Sequence, residues 1–113
     1  GGGPAIAMAP VYLRGSMNDW GTATAFQSAG EGVLVADVML AAGDHQFKIG
    51  SDDWTLVDLG GESGEPLTIG APPRALGRGG ANLRLMGLAA GRYRVTVRFG
   101  ATGGATIAVT RSD

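Results

Sequence analysis

Few side chains of this 113-residue chain could carry covalent chemistry. It has no cysteine and a single histidine, His45, which excludes a cysteine–histidine nucleophile. Any serine triad would have to use His45. The segment 61–65 (GESGE) lacks the final glycine of a G-x-S-x-G nucleophile turn. We therefore expect His45 to be a structural residue at a strand edge and the chain to be no enzyme.

The carboxylates form no recognisable catalytic or metal-binding set. Glycoside hydrolysis needs two carboxylates facing each other across a cleft, whereas Asp52 and Asp53 are neighbours in one predicted turn. Together with Asp58 they could offer oxygen to Ca²⁺, but EF-hand spacing is lacking and turn-forming aspartates explain them better. The glycine-rich segment 77–80 lacks the Lys-Ser/Thr ending of a phosphate loop. No metal and no cofactor are expected.

The two tryptophans are the strongest candidates for ligand contact. Trp20 lies in a polar loop after the first predicted strand, and Trp54 follows a turn containing Asp52 and Asp53. Both stand at loop–strand junctions, whereas core tryptophans usually sit within strands among apolar neighbours. An indole can stack on the flat C–H face of a sugar ring and leave the hydroxyls free for hydrogen bonds. Position alone leaves two alternatives open, surface recognition and a structural plug.

The elements that must hold these residues are short strands. Apolar and polar residues alternate with a period of two over residues 11–16, 33–40, 45–49 and 92–99. Further strands are predicted at 54–59, 67–69, 82–86 and 105–110, and most of residues 60–81 is predicted to be loop, because glycine and proline are frequent there. The pattern predicts an all-β protein, an immunoglobulin-like antiparallel β-sandwich of about seven or eight strands, with a small barrel as the alternative.

Composition limits the organisation and the partners. With 44% hydrophobic and 17% charged residues, the chain is predicted to fold as one globular domain. Residues 1–9 are interpreted as a linker or a cloning remnant and residues 10–113 as the domain. A net charge of −1 without a basic block argues against nucleic acid as a partner. No run of 18 apolar residues occurs, so no membrane partner is expected.

Two segments carry a resemblance to a known family. Residues 11–20 (VYLRGSMNDW) resemble the opening of starch- and glycogen-binding modules, in which a strand runs into a G-S-F/M-N-x-W turn. Residues 40–49 (LAAGDHQFKI) are similar to their L-x-x-G-x-H/Y-x-Y/F-K-F strand, and Trp54 stands six residues after Lys48, near the second tryptophan of such modules. The match covers about half the chain. These modules occur beside the catalytic domains of pullulanases, isoamylases and branching enzymes and in the β subunit of AMP-activated kinase.

The resemblance implies a function and a set of site residues. Trp20 and Trp54 would stack on glucose rings, while Lys48 and Asn82 would hydrogen-bond the hydroxyls, and Asp53 is a further candidate acceptor by adjacency. The ligand would be an α-glucan such as starch, glycogen, a maltooligosaccharide or cyclodextrin. The polar-face position of Lys48 agrees with this role, although a solvated lysine is the simpler interpretation without the motif.

The resemblance also implies a setting for the domain. It would be a monomeric, non-catalytic module that tethers a linked amylolytic domain to its substrate, and a secreted bacterial location would follow from that setting. Residues 60–79 form a longer glycine-rich insertion than the family pattern has. The alternative function is an immunoglobulin-like spacer or protein-interaction domain that binds no sugar.

Overall fold

The computed structural model describes residues 10–112, so the linker interpretation of residues 1–9 lies outside the described part, as does Asp113. All regular elements in it are strands except one 3₁₀ turn, Ser16–Asn18. The predicted all-β class is confirmed. The strands are β1 (Tyr12–Gly15), β2 (Gln27–Ser28), β3 (Val33–Leu40), β4 (Gly43–Gly50), β5 (Asp58–Gly61), β6 (Arg74–Arg78), β7 (Leu83–Leu88), β8 (Gly91–Phe99) and β9 (Ala105–Arg111).

The nine strands form one antiparallel sheet. Eight of them follow the order β1-β4-β5-β6-β9-β8-β3-β2, and β7 pairs with β4 beside this path. β4 is paired along both edges: β1 takes one, and β7 followed by β5 takes the other. Phe47 consequently faces Gly15 on one neighbour and Leu83 on the other. β4 is therefore the central strand of its half of the sheet.

The sheet curls until its two ends are joined by one segment. Ala25 bridges to Tyr12, and the Phe26 amide donates to the Val11 carbonyl at 2.8 Å. Two residues further on, β2 pairs with β3, which belongs to the other half. Residues 24–28 thus cross from one half to the other, which is why the inner faces enclose a single core, as in a β-sandwich.

The core comes from the inward positions of both halves. β4 contributes Phe47 and Ile49, which are completely buried, and the pattern predicted for them from the alternation is confirmed. β8 and β9 supply the facing wall. The hydrophobic residues buried from the other elements include Leu13, Ala36, Leu83 and Leu85, and those of the facing wall are Tyr93, Val95, Val97, Ala105, Ile107 and Val109.

Three predicted features of the middle of the chain are wrong. Arg74–Arg78 is a strand, β6, where a loop was predicted, and residues 67–69 form no strand. β6 begins directly after Pro73, pairs with β5 and β9, and joins the two halves of the sheet. The strand predicted at 54–59 begins only at Asp58, because residues 51–57 form a closed turn.

Gly60 and Gly80 are glycines because two chain segments touch there. A Cβ on Gly60 would lie 2.3 Å from the Ala81 carbonyl oxygen and 2.6 Å from the backbone of Gly80. The two chain segments therefore run in contact, backbone against backbone, where no side chain fits. Within residues 10–112, no helix is long and apolar enough to cross a membrane.

Candidate functional site

Trp20 is presented by a turn whose sequence explains its shape. Gly15, at the end of β1, must lack a side chain, because a Cβ there would lie 2.3 Å from the Gln46 carbonyl oxygen. Asn18 then fixes the turn: its Oδ1 accepts from the Gly15 amide at 3.0 Å and its Nδ2 donates to the Leu13 carbonyl at 2.7 Å. The chain leaves through left-handed backbone at Asp19 and at Trp20, with φ of 57° and 60°. The indole ends up half-buried on the surface.

Trp54 lies on the second turn, between β4 and β5. Ser51 organises this turn, since its Oγ accepts from the amides of Leu56 at 3.2 Å and Val57 at 3.1 Å. Trp54 is also left-handed, with φ of 65°, and its ring lies against Gly50. A Cβ on Gly50 would be 2.4 Å from Cζ3 of the ring. The glycine at the end of β4 thus provides the seat for the second, half-buried indole.

Asp53 belongs to the same turn, and its carboxylate is already engaged. Oδ1 accepts from the Thr55 hydroxyl at 2.7 Å and from the Thr55 amide at 3.1 Å. These two bonds favour the ionised form and hold the pKa of Asp53 below its ordinary value. Asp53 closes the turn that carries Trp54, and its role as a hydroxyl acceptor stays a prediction.

Lys48 lies on the outer face of β4, two residues before Gly50. Its ammonium is 2.5 Å from Oδ1 of Asp58 on β5 and 5.7 Å from the centroid of the Trp54 ring. Only 14% of the Lys48 side chain is exposed, so it is not a freely solvated lysine. A primary ammonium carries three donors, and the ion pair with one carboxylate leaves donor capacity beside Trp54.

Asn82 lies at the other end of β4, near Trp20. Its Nδ2 donates to Oε1 of Gln46 at 3.0 Å. Together with Ser16, Trp20 and Asp44, these two residues line a shallow depression of about 360 Å³. Asn82 is exposed, as are Ser16, Asp44 and Gln46. The depression offers amide, hydroxyl and carboxylate groups next to one indole.

Arg14 joins the two ends of the site, and the sequence motif did not identify it. It lies on β1 directly opposite Lys48 in the register. Its Nε donates to the Trp20 carbonyl at 2.8 Å, and its guanidinium lies 4.3 Å from the centroid of the Trp54 ring. The sequence offered one sign of this role, the outward position of Arg14 on the strand that leads to Trp20. A solvent-facing arginine would show the same sequence pattern.

The outer face of β4 therefore carries the candidate site. Asp44, Gln46, Lys48 and Gly50 alternate with the core residues of the strand, and Gln46 and Gly50 are about 13 Å apart at roughly 3.3 Å per residue. Trp20 lies near the first two and Trp54 near the last two. Two other depressions, of about 410 and 480 Å³, contain neither tryptophan and are lined mainly by apolar residues. The predicted residues Trp20, Trp54, Lys48, Asp53 and Asn82 all lie along or beside β4.

The histidine and carboxylates that were considered for catalysis and metal binding form no such site in the described residues. His45 is buried at the inner face, and its Nε2 lies 2.8 Å from the Ala41 carbonyl oxygen. Within residues 10–112, no three histidine or carboxylate side chains are grouped closely enough to hold a metal ion. The site on β4 is thus an open surface of aromatic rings and hydrogen-bonding groups, suited to binding a ligand with both apolar faces and hydroxyls.

Comparison with known proteins identifies the fold. No family model and no curated protein matches the chain. Among solved structures, it is similar to a starch-binding domain, described as "Ligand induced structure of AmyP-SBD", with a TM-score of 0.65. The two chains are 19% identical, over 92% of this chain and 72% of that one. At this identity the likeness shows that the two chains share a fold.

Proposed function

We propose that this chain binds α-glucans without catalysis, using the outer face of β4. The observation that carries the proposal is the alignment of both tryptophans with Lys48, Gln46 and Asn82 along that single strand. The fold shared with a starch-binding domain and the sequence motif around Trp20 support it. The proposal extends to the subfamily: a starch- or glycogen-binding module of the pullulanase, isoamylase or kinase β-subunit type.

The chemistry of an α-glucan fits such a surface. Each glucose ring has an apolar C–H face, which stacks on an indole, and an edge of hydroxyls, which exchange hydrogen bonds with amides, carboxylates and ammonium groups. Trp20 and Trp54 supply two stacking positions at opposite ends of β4. Gln46 and Asn82 supply donors and acceptors near the first, and Lys48 near the second. The curvature of an α-1,4-linked chain would let sugars several units apart reach both rings, whereas a flat cellulose chain would not.

The expected affinity is modest. If each stack and each polar cluster contributes about 1–2 kcal/mol, the binding free energy is near −5 to −7 kcal/mol, which corresponds to a Kd of roughly 10 to 200 µM. A Kd in this range is most useful for tethering, because a linked amylolytic domain gains effective substrate concentration. Such an enzyme partner and a secreted location belong to the proposal, as does a monomeric state.

The test is sugar affinity of tryptophan variants, measured by calorimetry with maltoheptaose and by affinity electrophoresis in amylopectin. Trp20→Ala and Trp54→Ala should each weaken binding by about tenfold, the equivalent of about 1.4 kcal/mol for one lost stack. Met39→Ala is the matched control, because Met39 is 66% exposed on β3, on the opposite half of the sheet. Unchanged affinity in both tryptophan variants would overturn the proposal.

The alternative, a spacer or protein-interaction domain, makes a different prediction for the same protein. It requires indoles that serve only to fill the fold, so millimolar maltoheptaose should leave the tryptophan fluorescence unchanged. The half-buried state of both rings supports sugar contact instead. Incubation with starch separates the enzymatic alternative, since release of reducing sugar by the isolated chain would contradict a non-catalytic role.

A further inference from the structure

Trp20 and Trp54 lie on different turns, yet one side chain contacts both. Trp20 follows β1, and Trp54 follows β4. Arg14 lies between them on the outer face of β1. We infer that Arg14 is a positioning residue that couples the two tryptophans into one binding surface; this inference rests on the proposed function.

The hydrogen bonds of Arg14 show how the coupling is built. Nε donates to the carbonyl of Trp20 at 2.8 Å. Nη1 donates to the carbonyls of Ser51 at 2.8 Å and Asp52 at 2.6 Å, in the turn that leads into Trp54. A guanidinium is planar with donors in a fixed fork, so bonds from its two sides set the separation and angle of the two turns together.

The ring contact adds a second constraint on Trp54. The Arg14 guanidinium carbon is 4.3 Å from the ring centroid, within the range of a cation–π interaction. The ring therefore contacts both Gly50 and the guanidinium, which lie on the outer face of the sheet. Three of the five N–H donors of Arg14 are taken by backbone carbonyls. We therefore assign its effect on a sugar to the position of the indoles.

Backbone strain explains why both turns need such a partner. Of residues 10–112, the non-glycine residues with positive φ are Asp19, Trp20 and Trp54. Bulky residues leave the ordinary regions only where surrounding contacts over-determine the backbone. Arg14 bonds the carbonyl of Trp20 itself and two carbonyls within the turn that carries Trp54, which ties the strained positions to β1.

The coupling predicts a dependence on ligand length. Binding to one ring requires only that ring, whereas a ligand that contacts both requires their relative position. Gln46, which lines the depression beside Trp20, and Gly50, against which the Trp54 ring lies, are four residues apart on β4, about 13 Å. Maltose is shorter than this span, whereas maltoheptaose exceeds it. Loss of Arg14 should therefore weaken maltoheptaose binding far more than maltose binding, whereas general destabilisation would weaken both alike.

The experiment compares Arg14→Met, Arg14→Lys and the control Arg98→Met, once thermal melts have identified which variants are folded. Arg98 is exposed on β8, on the opposite half of the sheet. By calorimetry, Arg14→Met should weaken maltoheptaose binding by about fivefold or more and maltose binding by less than about twofold, in line with couplings between residues in contact. Arg14→Lys should behave like Arg14→Met, because one ammonium cannot reach three separate carbonyls. It carries the test if the methionine variant does not fold.

Nuclear magnetic resonance separates this inference from the proposed function. Both indole N–H resonances should shift in the Arg14 variants, and neither should shift in Arg98→Met. If the wild type binds no glucan, the proposed function fails, and the indole resonances still test the coupling. Equal weakening of maltose and maltoheptaose, unchanged maltoheptaose affinity, or an unmoved indole resonance would overturn the role of Arg14.

Discussion

Side chains in the turn of Trp54 show how a surface aromatic is held without enclosure. The Asp53 carboxylate accepts hydrogen bonds from the hydroxyl and amide of Thr55, and the Ser51 hydroxyl accepts them from the amides of Leu56 and Val57. The indole itself rests against Gly50, whose missing side chain makes the space. Each bond is local, yet together they close the turn in one conformation, with one ring face against the protein.

A pH prediction follows for this turn. The bonds from Thr55 lower the pKa of Asp53 in the folded protein, so ionised Asp53 stabilises the turn above its unfolded pKa, about 3.9. That contribution is lost as the pH falls through the lowered folded value. A ¹³C titration of the Asp53 carboxyl should give a midpoint below about 3.9, and the Trp54 indole resonance should move with it.

Thr55→Val provides the control for that titration. It removes the hydroxyl donor and retains the amide, so the Asp53 midpoint should rise toward the ordinary value. A wild-type midpoint at or above about 3.9, or no change on removing the hydroxyl, would contradict the assignment of these bonds as the cause.

Among the elements, β4 contributes alternate residues to the core and to the candidate site. His45, Phe47 and Ile49 face the core, whereas Gln46 and Lys48 face the site. Because β4 is paired on both edges, its outer face cannot shift relative to β1, β5 and β7. The polar and aromatic groups of the site are thus held at separations set by the strand repeat.

The crossing of Gly60 and Gly80 predicts a stability effect at this scale. Gly60→Ala would put a Cβ 2.3 Å from the Ala81 carbonyl oxygen, and both partners are backbone. The contact between β5 and residues 80–81 must then open, at a cost of about 1–3 kcal/mol. Thermal unfolding should show a midpoint lower by about 4 °C or more.

Gly64→Ala is the matched control for that measurement. A Cβ on Gly64 would meet no atom within 4 Å, and its φ is not positive. Its unfolding midpoint should stay close to that of the wild type. If Gly60→Ala were equally neutral, the close backbone contact between the two segments would be refuted.

Over the whole molecule, stability depends on the one core enclosed by the curled sheet. Phe47 is completely buried and faces both Gly15 and Leu83 across the sheet. Phe47→Ala should cost about 3–5 kcal/mol, which is a large part of the 5–15 kcal/mol typical of a domain. Urea unfolding should therefore show a much lower midpoint, or a protein unfolded in water.

Leu56→Ala is the contrasting variant, because Leu56 is 69% exposed beside the site. Its free energy of unfolding should change by no more than about 0.5 kcal/mol. A Phe47 variant as stable as this one would show that the enclosed core does not carry the fold.

The sequence by itself determined the all-β class, and it predicted the candidate site residues that the structure places along or beside β4. Alternation with period two marked β3, β4 and β8, because each has one face on the core. The turn around Trp20 was readable because Gly15 and Asn18 have local roles there. These features depend on neighbours in the chain, so a linear pattern is enough to identify them.

The tertiary structure decided what depends on residues distant in the chain. β6 was hidden because its partners lie in β5 and β9, and because glycines that allow close backbone contact resemble loop glycines in a sequence. Arg14 looked like any outward arginine, but β1 and β4 pair so that it reaches Trp54, 40 positions away in the chain. Lys48 was predicted as a hydroxyl donor, and only the pairing of β4 with β5 brought Asp58 to its ammonium. Pairings between distant strands are set by the closure of the whole sheet, which no local pattern encodes.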